Sequence, residues 1–501
     1  MTNLQKILRN IGSGLVYQIL TLVLGITIPR LVLVNLGSEA NGLLNSVNQA
    51  LVYLVLLEGG VGLTITQALY KPVADREHSD INGIMSAANA FYRHVGTMYF
   101  IGMFFVAVAY SLVIKTTYNR FVVFTVVVLS GLPQVINFFF QGKYRTLISV
   151  SGRGYILTNM NSVMYIVTSL SKIFLLLHGF DVVAIQAMYC VVSLIQMLFI
   201  VWYVHHEFPW LNIRVRPAKE KIGQRKAVFI HQISGFIFNN TDMLILSIFS
   251  GLKVTSVYAM YNMFFSMISG FITTLTGSVS FAMGQKYNTD LPSYRRYNNC
   301  YETLCITLSF MLFTVLAVFL LPFLKIYTAG VTDISYQNPP VLYFFLAINI
   351  VQFGRSAHLK TIEYAGSFKE TQPHAVVEMI VNLLVSVIGV IKFGIFGVLA
   401  GTIASLTVRM FLMVHYSCRK LLKVNPLRMY RKMLVNIMIL LAFLYACSKL
   451  TIPSQNYFIM AAFAVPVTIV SVLIYGAAVF VYDRDTVHFV SAYLKNRFHK
   501  G

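Results

Sequence analysis

Among the ionisable side chains inside otherwise apolar stretches of this chain, seven are the candidates for chemistry, because such residues mark functional sites by default. Five are cations: Arg30, Arg93, Lys172, Arg355 and Arg409. Two are carboxylates: Glu58 and Asp242. A guanidinium in a water-poor setting holds phosphate or carboxylate oxygens bidentately, and an ammonium does so as a point charge. A buried carboxylate can take up a proton or a small cation, or hold one of those arginines in place.

Each residue also has a plainer reading. Arg30 follows the helix-distorting Pro29 at the end of the first apolar stretch, where it could snorkel to lipid headgroups or turn inward. Lys172 sits near a span end and has the same choice. Arg409 is mid-span and has less chance of escape. Arg93 and Arg355 lie near span ends, where interfacial anchoring competes with capture of an anionic headgroup. Glu58, beside Gly59, Gly60 and Gly62, and Asp242, behind Asn239-Asn240-Thr241, read equally as ion-coupling carboxylates carrying Na⁺ or H⁺, or as helix–helix hydrogen bonds. Glu363 and Glu378 read as loop-end charges. His231 and His358 read as hydrogen-bonded structural residues. Gly397-Val-Leu-Ala-Gly401 is a small-residue packing stripe.

Other chemistries find no support. The five cysteines form no CxxC pair, and His205-His206-Glu207 lacks metal-ligand spacing, so no metal site and no resident cofactor are expected. No Walker A motif occurs, and the acidic residues of the short outward-facing loops (Glu39, Asp181, Asp333) are isolated rather than paired for acid–base work. An enzyme is therefore not expected.

The elements that must position these charges are membrane helices. Of 501 residues 57% are hydrophobic and only 11% charged, with mean hydropathy +0.71, against about 25% charged in ordinary soluble domains. The pattern predicts an all-α polytopic membrane protein of about 14 transmembrane helices. They run near 11–34, 43–69, 87–114, 121–142, 155–177, 182–204, 228–250, 255–284, 301–327, 341–362, 375–392, 395–418, 433–450 and 457–482. The first block is too long for a signal-peptide core and reads as a retained span.

With the N-terminus placed in the cytoplasm, 31 of the 39 Lys and Arg fall on that side. By the positive-inside rule both termini face the cytoplasm. The net charge of +22 is thus a topology signal, with attraction to anionic lipid as a secondary use, and not a nucleic-acid footprint.

The chain also reads as duplicated. Leu36-Gly-Ser-Glu-Ala-Asn-Gly-Leu-Leu-Asn45 matches Lys253-Val-Thr-Ser-Val-Tyr-Ala-Met-Tyr-Asn262 at the same place in the second copy, and Tyr70 matches Tyr287. This predicts an N-terminal lobe over 1–204, a cytoplasmic linker over 205–227 and a C-terminal lobe over 228–418. Two further helices follow in 433–482, then a tail over 483–501. Two six-helix lobes imply a central cavity and alternating access.

Ile28-Pro-Arg30-Leu-Val-Leu-Val-Asn-Leu-Gly37-Ser-Glu-Ala-Asn-Gly42, Leu57-Glu58-Gly-Gly-Val-Gly62, Phe140-Gln-Gly-Lys-Tyr-Arg145, Asn239-Asn-Thr-Asp242 and Val257-Tyr-Ala-Met-Tyr-Asn262 resemble segments of bacterial polysaccharide flippases. These form the Wzx-like branch of the multidrug/oligosaccharidyl-lipid/polysaccharide exporter superfamily. The resemblance is clear over the first 300 residues and rests mainly on helix count thereafter. It implies two six-helix lobes around a cationic cavity, two extra C-terminal helices, and translocation of an undecaprenyl-pyrophosphate-linked oligosaccharide from the cytoplasmic to the outer leaflet. It favours the cavity for Arg30. It also implies a monomer in the bacterial cytoplasmic membrane, working beside the polymerase and glycosyltransferases of a surface-polysaccharide pathway. The alternatives are a cation-coupled drug antiporter of the same architecture, which would favour acidic rather than basic deep charges, and a polytopic glycan polymerase or glycosyltransferase.

Overall fold

The computed structural model describes residues 3–58, 61–218, 240–277, 283, 286–287, 290–449 and 456–488. Side chains of residues 3–19 and of several positions near 22 and in 61–74 fall outside that description. So do the later part of the expected linker, the start of the seventh span with His231 and Asn239, and the tail beyond 488.

Among the described residues the chain is all-helical, and ten helices are long and apolar enough to cross a membrane. The protein is a multi-pass membrane protein. Its helices are α1 (Asn3–Val55), α2 (Val61–Asp75), α3 (His78–Val113), α4 (Arg120–Ile136), α5 (Gly142–Val150), α6 (Gly154–Leu177) and α7 (Val182–Glu207). They continue with α8 (Asp242–Phe249), α9 (Leu252–Gly277), α10 (Leu291–Tyr327), α11 (Pro339–Gly354), α12 (Ser356–Tyr364), α13 (Phe368–Phe393), α14 (Ile395–Tyr416), α15 (Leu427–Ser448) and α16 (Tyr457–Tyr482).

Helix starts follow from short polar residues that satisfy the first free N–H groups. Asn119 accepts from Phe121 N, Asp181 from Ala184 N, Asn338 from Val341 N and Asn456 from Phe458 N, at 2.9–3.3 Å. Lipid offers the backbone no hydrogen bonds, so continuous helix is the cheapest conformation between such points.

Four expected boundaries change for local reasons. The first two spans are not parted by a loop but by one residue, Gly37, at φ 83°, which glycine alone adopts without strain. Gly251, at φ 90°, makes the corresponding break between α8 and α9. The second span stops at Glu58, where a 3₁₀ turn, Leu56–Glu58, ends α1. The tenth breaks at Arg355, which separates α11 from α12. In the opposite sense, the fourth span runs on through a π turn, Asn137–Gln141, into α5.

Two compact units divide the chain: residues 1–229 with 246–256, and residues 230–245 with 257–501. In the first, α1 packs on α6, α3 on α4, and α4 on α7. In the second, α10 is the centre, touched by α11, α15 and α16. Only Met460, Ser471 and Tyr475 of α16 are buried. Tyr475 shares a 2.7 Å hydrogen bond with Thr314 of α10, and Ser471 donates to the Met311 carbonyl.

In the α13–α14 hairpin of the second unit the two backbones approach closely. The hairpin turns at Gly394 (φ 56°), and a Cβ on Gly397 would collide with the Gly389 backbone, while one on Gly401 would come within 2.8 Å of Ser386 N. The Gly397–Gly401 stripe is therefore internal packing. We expect Gly397→Leu to cost more than about 3 kcal/mol by forcing the helices apart, read as loss of monodisperse protein and of the thermal unfolding midpoint. Gly476→Ala, which meets nothing within 4 Å, should leave both intact.

Candidate functional site

The hairpin that small residues draw together also carries the principal buried charges. Glu378 of α13 is wholly buried and bridges two cations. Arg355 donates from Nη1 to Oε1 at 2.5 Å, and Arg409 of α14 donates from Nη1 to Oε2. Both arginines are 8% exposed. Arg409 Nε has no hydrogen-bond partner, and its side chain borders a small cavity of about 70 Å³ with Thr371 and Phe368. The cluster carries a net single positive charge. The sequence reading of Glu378 as a loop-end charge is thus overturned. Arg355 and Arg409, anticipated as separate cations, are brought together on one carboxylate.

One turn further along α13 lies Asn382, beside the buried Asp242 at the start of α8. Asp242 Oδ2 accepts from Tyr258 Oη at 2.9 Å and from Thr402 Oγ1 at 2.7 Å. Asn382 Nδ2 donates to Thr402 Oγ1 at 3.2 Å. Two buried acceptors, Asp242 Oδ1 and Asn382 Oδ1, are left without a donor. A carboxylate ringed by neutral oxygens, with acceptors to spare, is the donor set that a proton or a small hard cation completes. The spacing sets the Asp242 group and the arginine pair about 6 Å apart along α13, from Glu378 to Asn382, and about 10 Å apart along α14, from Thr402 to Arg409.

In the first unit, Glu58 closes the 3₁₀ turn after α1. Tyr92 of α3 donates to its Oε1 at 3.2 Å and the Gly62 N–H also reaches the carboxylate. A Cβ on Gly62 would strike that carboxylate, so this glycine is needed for the approach. Lys172 is half-buried on α6, with Nζ 5.4 Å from the centre of the Tyr189 ring, a cation–π contact. Arg30 is half-buried on α1 and Arg93 is exposed on α3.

A further cluster was not legible beforehand. Lys432, one of the 31 Lys and Arg that the positive-inside count assigns to the cytoplasmic side, is 2% exposed on α15. Its Nζ reaches Glu302 Oε1 of α10 at 2.9 Å and Asp483 Oδ2 at 3.3 Å, and His358 Nε2 lies 3.0 Å from Glu302 Oε2. Thr303 donates to Asp483 at 2.5 Å. Burial alone would raise the Asp483 carboxyl, but the Thr303 hydrogen bond and the Lys432 charge outweigh it and hold it below the usual carboxylate range. This network ties α15 and the end of α16 to α10. His358 joins it from α12.

No family model matches the chain, and no curated protein matches it in sequence. Solved structures do match in fold. A lipid II flippase, MurJ, in an inward closed conformation aligns with 96% of this chain and 100% of its own, at TM-score 0.67 and 12% identity. An inward-facing multidrug resistance MATE family transporter of the MOP superfamily aligns with 80% of this chain and 94% of its own, at TM-score 0.65 and 14% identity. A Vibrio cholerae MATE transporter aligns with 85% of this chain and 97% of its own, at TM-score 0.54 and 12% identity. The fold is therefore of the type these transporters share.

Proposed function

We propose that this chain is a flippase that carries an undecaprenyl-pyrophosphate-linked oligosaccharide from the cytoplasmic to the outer leaflet by alternating access. What supports the reading most is the extent of the likeness in fold. The lipid II flippase accounts for 96% of this chain, whereas the MATE neighbour leaves a fifth unmatched. The arginine cluster agrees, since Arg355 and Arg409 outnumber the carboxylate between them and leave a local surplus of positive charge.

The physical need is clear. Dragging a sugar headgroup through hydrocarbon leaves polar groups unsatisfied at several kcal/mol each, and a polar protein path removes that cost while the lipid tail stays in the bilayer. Arg30, Arg93 and Lys172, with the excess charge of the Arg355–Glu378–Arg409 cluster, supply attraction for the pyrophosphate. Asp242 takes the coupling ion, Na⁺ or H⁺, and Glu58 is its counterpart in the first unit. Ion binding at Asp242 reaches the arginines through Asn382 and the shared helix α13. The protein acts as a monomer in a bacterial cytoplasmic membrane with both termini inside, handing its cargo to the polymerase of the same pathway and receiving it from glycosyltransferases.

The test is reconstitution of the full chain in liposomes with a lipid-linked glycan extracted from the source cells. We expect protein-dependent transfer of the glycan between leaflets, read by lectin accessibility and stimulated by an imposed Na⁺ or pH gradient. Failure to move the glycan, together with gradient-driven movement of an organic cation, would replace this reading with drug antiport.

A further inference from the structure

A cavity of about 460 Å³ lies wholly within the first unit, between α1, α3, α4, α5 and α7. Its volume falls in the range of about 300–1,000 Å³ usual for small-molecule sites. Its polar lining is distinctive: five carboxamides, from Asn48, Gln134, Asn137, Gln141 and Gln196, with one guanidinium, Arg145, and no carboxylate. Each amide offers both donors and an acceptor, the pairing that a vicinal diol requires. An organic cation would find no counter-charge there.

Several features show that the lining is built rather than incidental. Asn137 and Gln141 are the two ends of the π turn in the fourth span, an irregular turn that tends to mark functional positions. Arg145, from the Phe140–Arg145 motif, is aimed by its neighbours. Its Nε donates to Gln141 Oε1 at 3.2 Å and its Nη2 to Asn161 Oδ1 at 3.4 Å, while Gln196 donates to the same Asn161 oxygen at 2.9 Å. Two aromatic rings, Tyr99 and Tyr189, complete the wall, and Tyr189 is the ring that Lys172 covers.

We propose that this cavity binds the saccharide part of the cargo, the carboxamides reading its hydroxyl groups and Arg145 an acidic substituent or phosphate oxygen. Amides and tyrosines suit sugars, which present alternating hydroxyls and apolar C–H faces. The cavity thereby sets which glycans are accepted, and the inference rests on the flippase reading.

The test measures binding of the full-length protein in lipid nanodiscs to two kinds of probe. One is undecaprenyl pyrophosphate; the other is the same lipid carrying one or two sugars, drawn from neutral hexoses, N-acetylhexosamines and hexuronates. At least one glycan should raise wild-type affinity by about tenfold over the bare lipid. Asn137→Ala and Gln134→Ala should each remove most of that gain while leaving bare-lipid binding and the unfolding midpoint unchanged. Val52→Phe, which narrows the cavity, should weaken disaccharides more than monosaccharides. A glycan gain that persists in all three variants would overturn the proposal, as would a wild-type protein that flips the lipid yet gains nothing from any sugar. Absence of both lipid binding and flipping would instead bring down the flippase reading itself.

Discussion

Glu378→Gln is expected to destabilise the second unit more than any other isosteric change. The substitution keeps the shape of the side chain but leaves Arg355 and Arg409, both 8% exposed, with no counter-charge. Removing one partner of a buried ion pair costs about 3–5 kcal/mol, because the remaining charge stays desolvated. Here two charges are stranded and repel each other. The apparent thermal midpoint of the purified protein should fall on the order of 10 °C. Pairing the change with Arg355→Met should recover part of the loss, since one orphaned cation is then gone. An unchanged midpoint in Glu378→Gln, or no recovery in the double variant, would mean that the three side chains do not act as a unit. Glycan transport should fall with the midpoint in the single variant and return in part in the double one.

Asp242→Asn should do the opposite: keep the fold and lose the function. Asparagine matches aspartate in size, its oxygen can accept from Tyr258 and Thr402, and its N–H group brings a donor to a site that has acceptors without one. Stability should hold or rise, because a buried negative charge is replaced by a neutral group with better hydrogen bonding. The response of transport to an imposed Na⁺ or pH gradient should drop by about tenfold or more, equivalent to at least about 1.4 kcal/mol of lost ion binding. Gradient-stimulated flipping at the wild-type level would remove Asp242 from the coupling role and leave it as a helix–helix hydrogen bond. Asn382→Leu separates the two further. It should weaken the ion response through the lost oxygen, yet it cannot affect protonation of Asp242 as strongly as it affects a coordinated Na⁺.

The two predictions concern residues that differ in how visible they were. Asp242 was legible because an acid behind two asparagines and a threonine interrupts an apolar run. Its partners were not, since Tyr258, Asn382 and Thr402 come from three other helices and have ordinary local contexts. Glu378 was visible as a residue but misread, because its neighbours Lys360, Glu363 and Pro373 suggest a loop. The loop ends earlier, at Ser367, and α13 takes Glu378 into the bundle. Lys432 was misread in the same way. A lysine in a basic run looks like a topology charge, and only the approach of Glu302 and Asp483 makes it a buried one.

The amide-lined cavity makes the point from the other side. Asparagine and glutamine within apolar helices carry little signal individually, since each could satisfy itself on a neighbouring backbone carbonyl. They become a site only where α1, α4 and α7 bring them to one wall.

Composition and periodicity determined the class of molecule: an all-α, multi-pass membrane protein with helices near each of the anticipated spans. That information is local, because hydropathy over about 20 residues and the need to satisfy the backbone in lipid act within a single segment. Single glycines refined it by turning an expected loop at Gly37 into a kink. Tertiary structure alone decided which charges meet. Pairing Glu378 with Arg355 and Arg409, or Lys432 with Glu302 and Asp483, depends on the rotation and depth of helices far apart in sequence. In a low-dielectric interior those few ångströms determine whether a charge is an available ligand or already held by a partner.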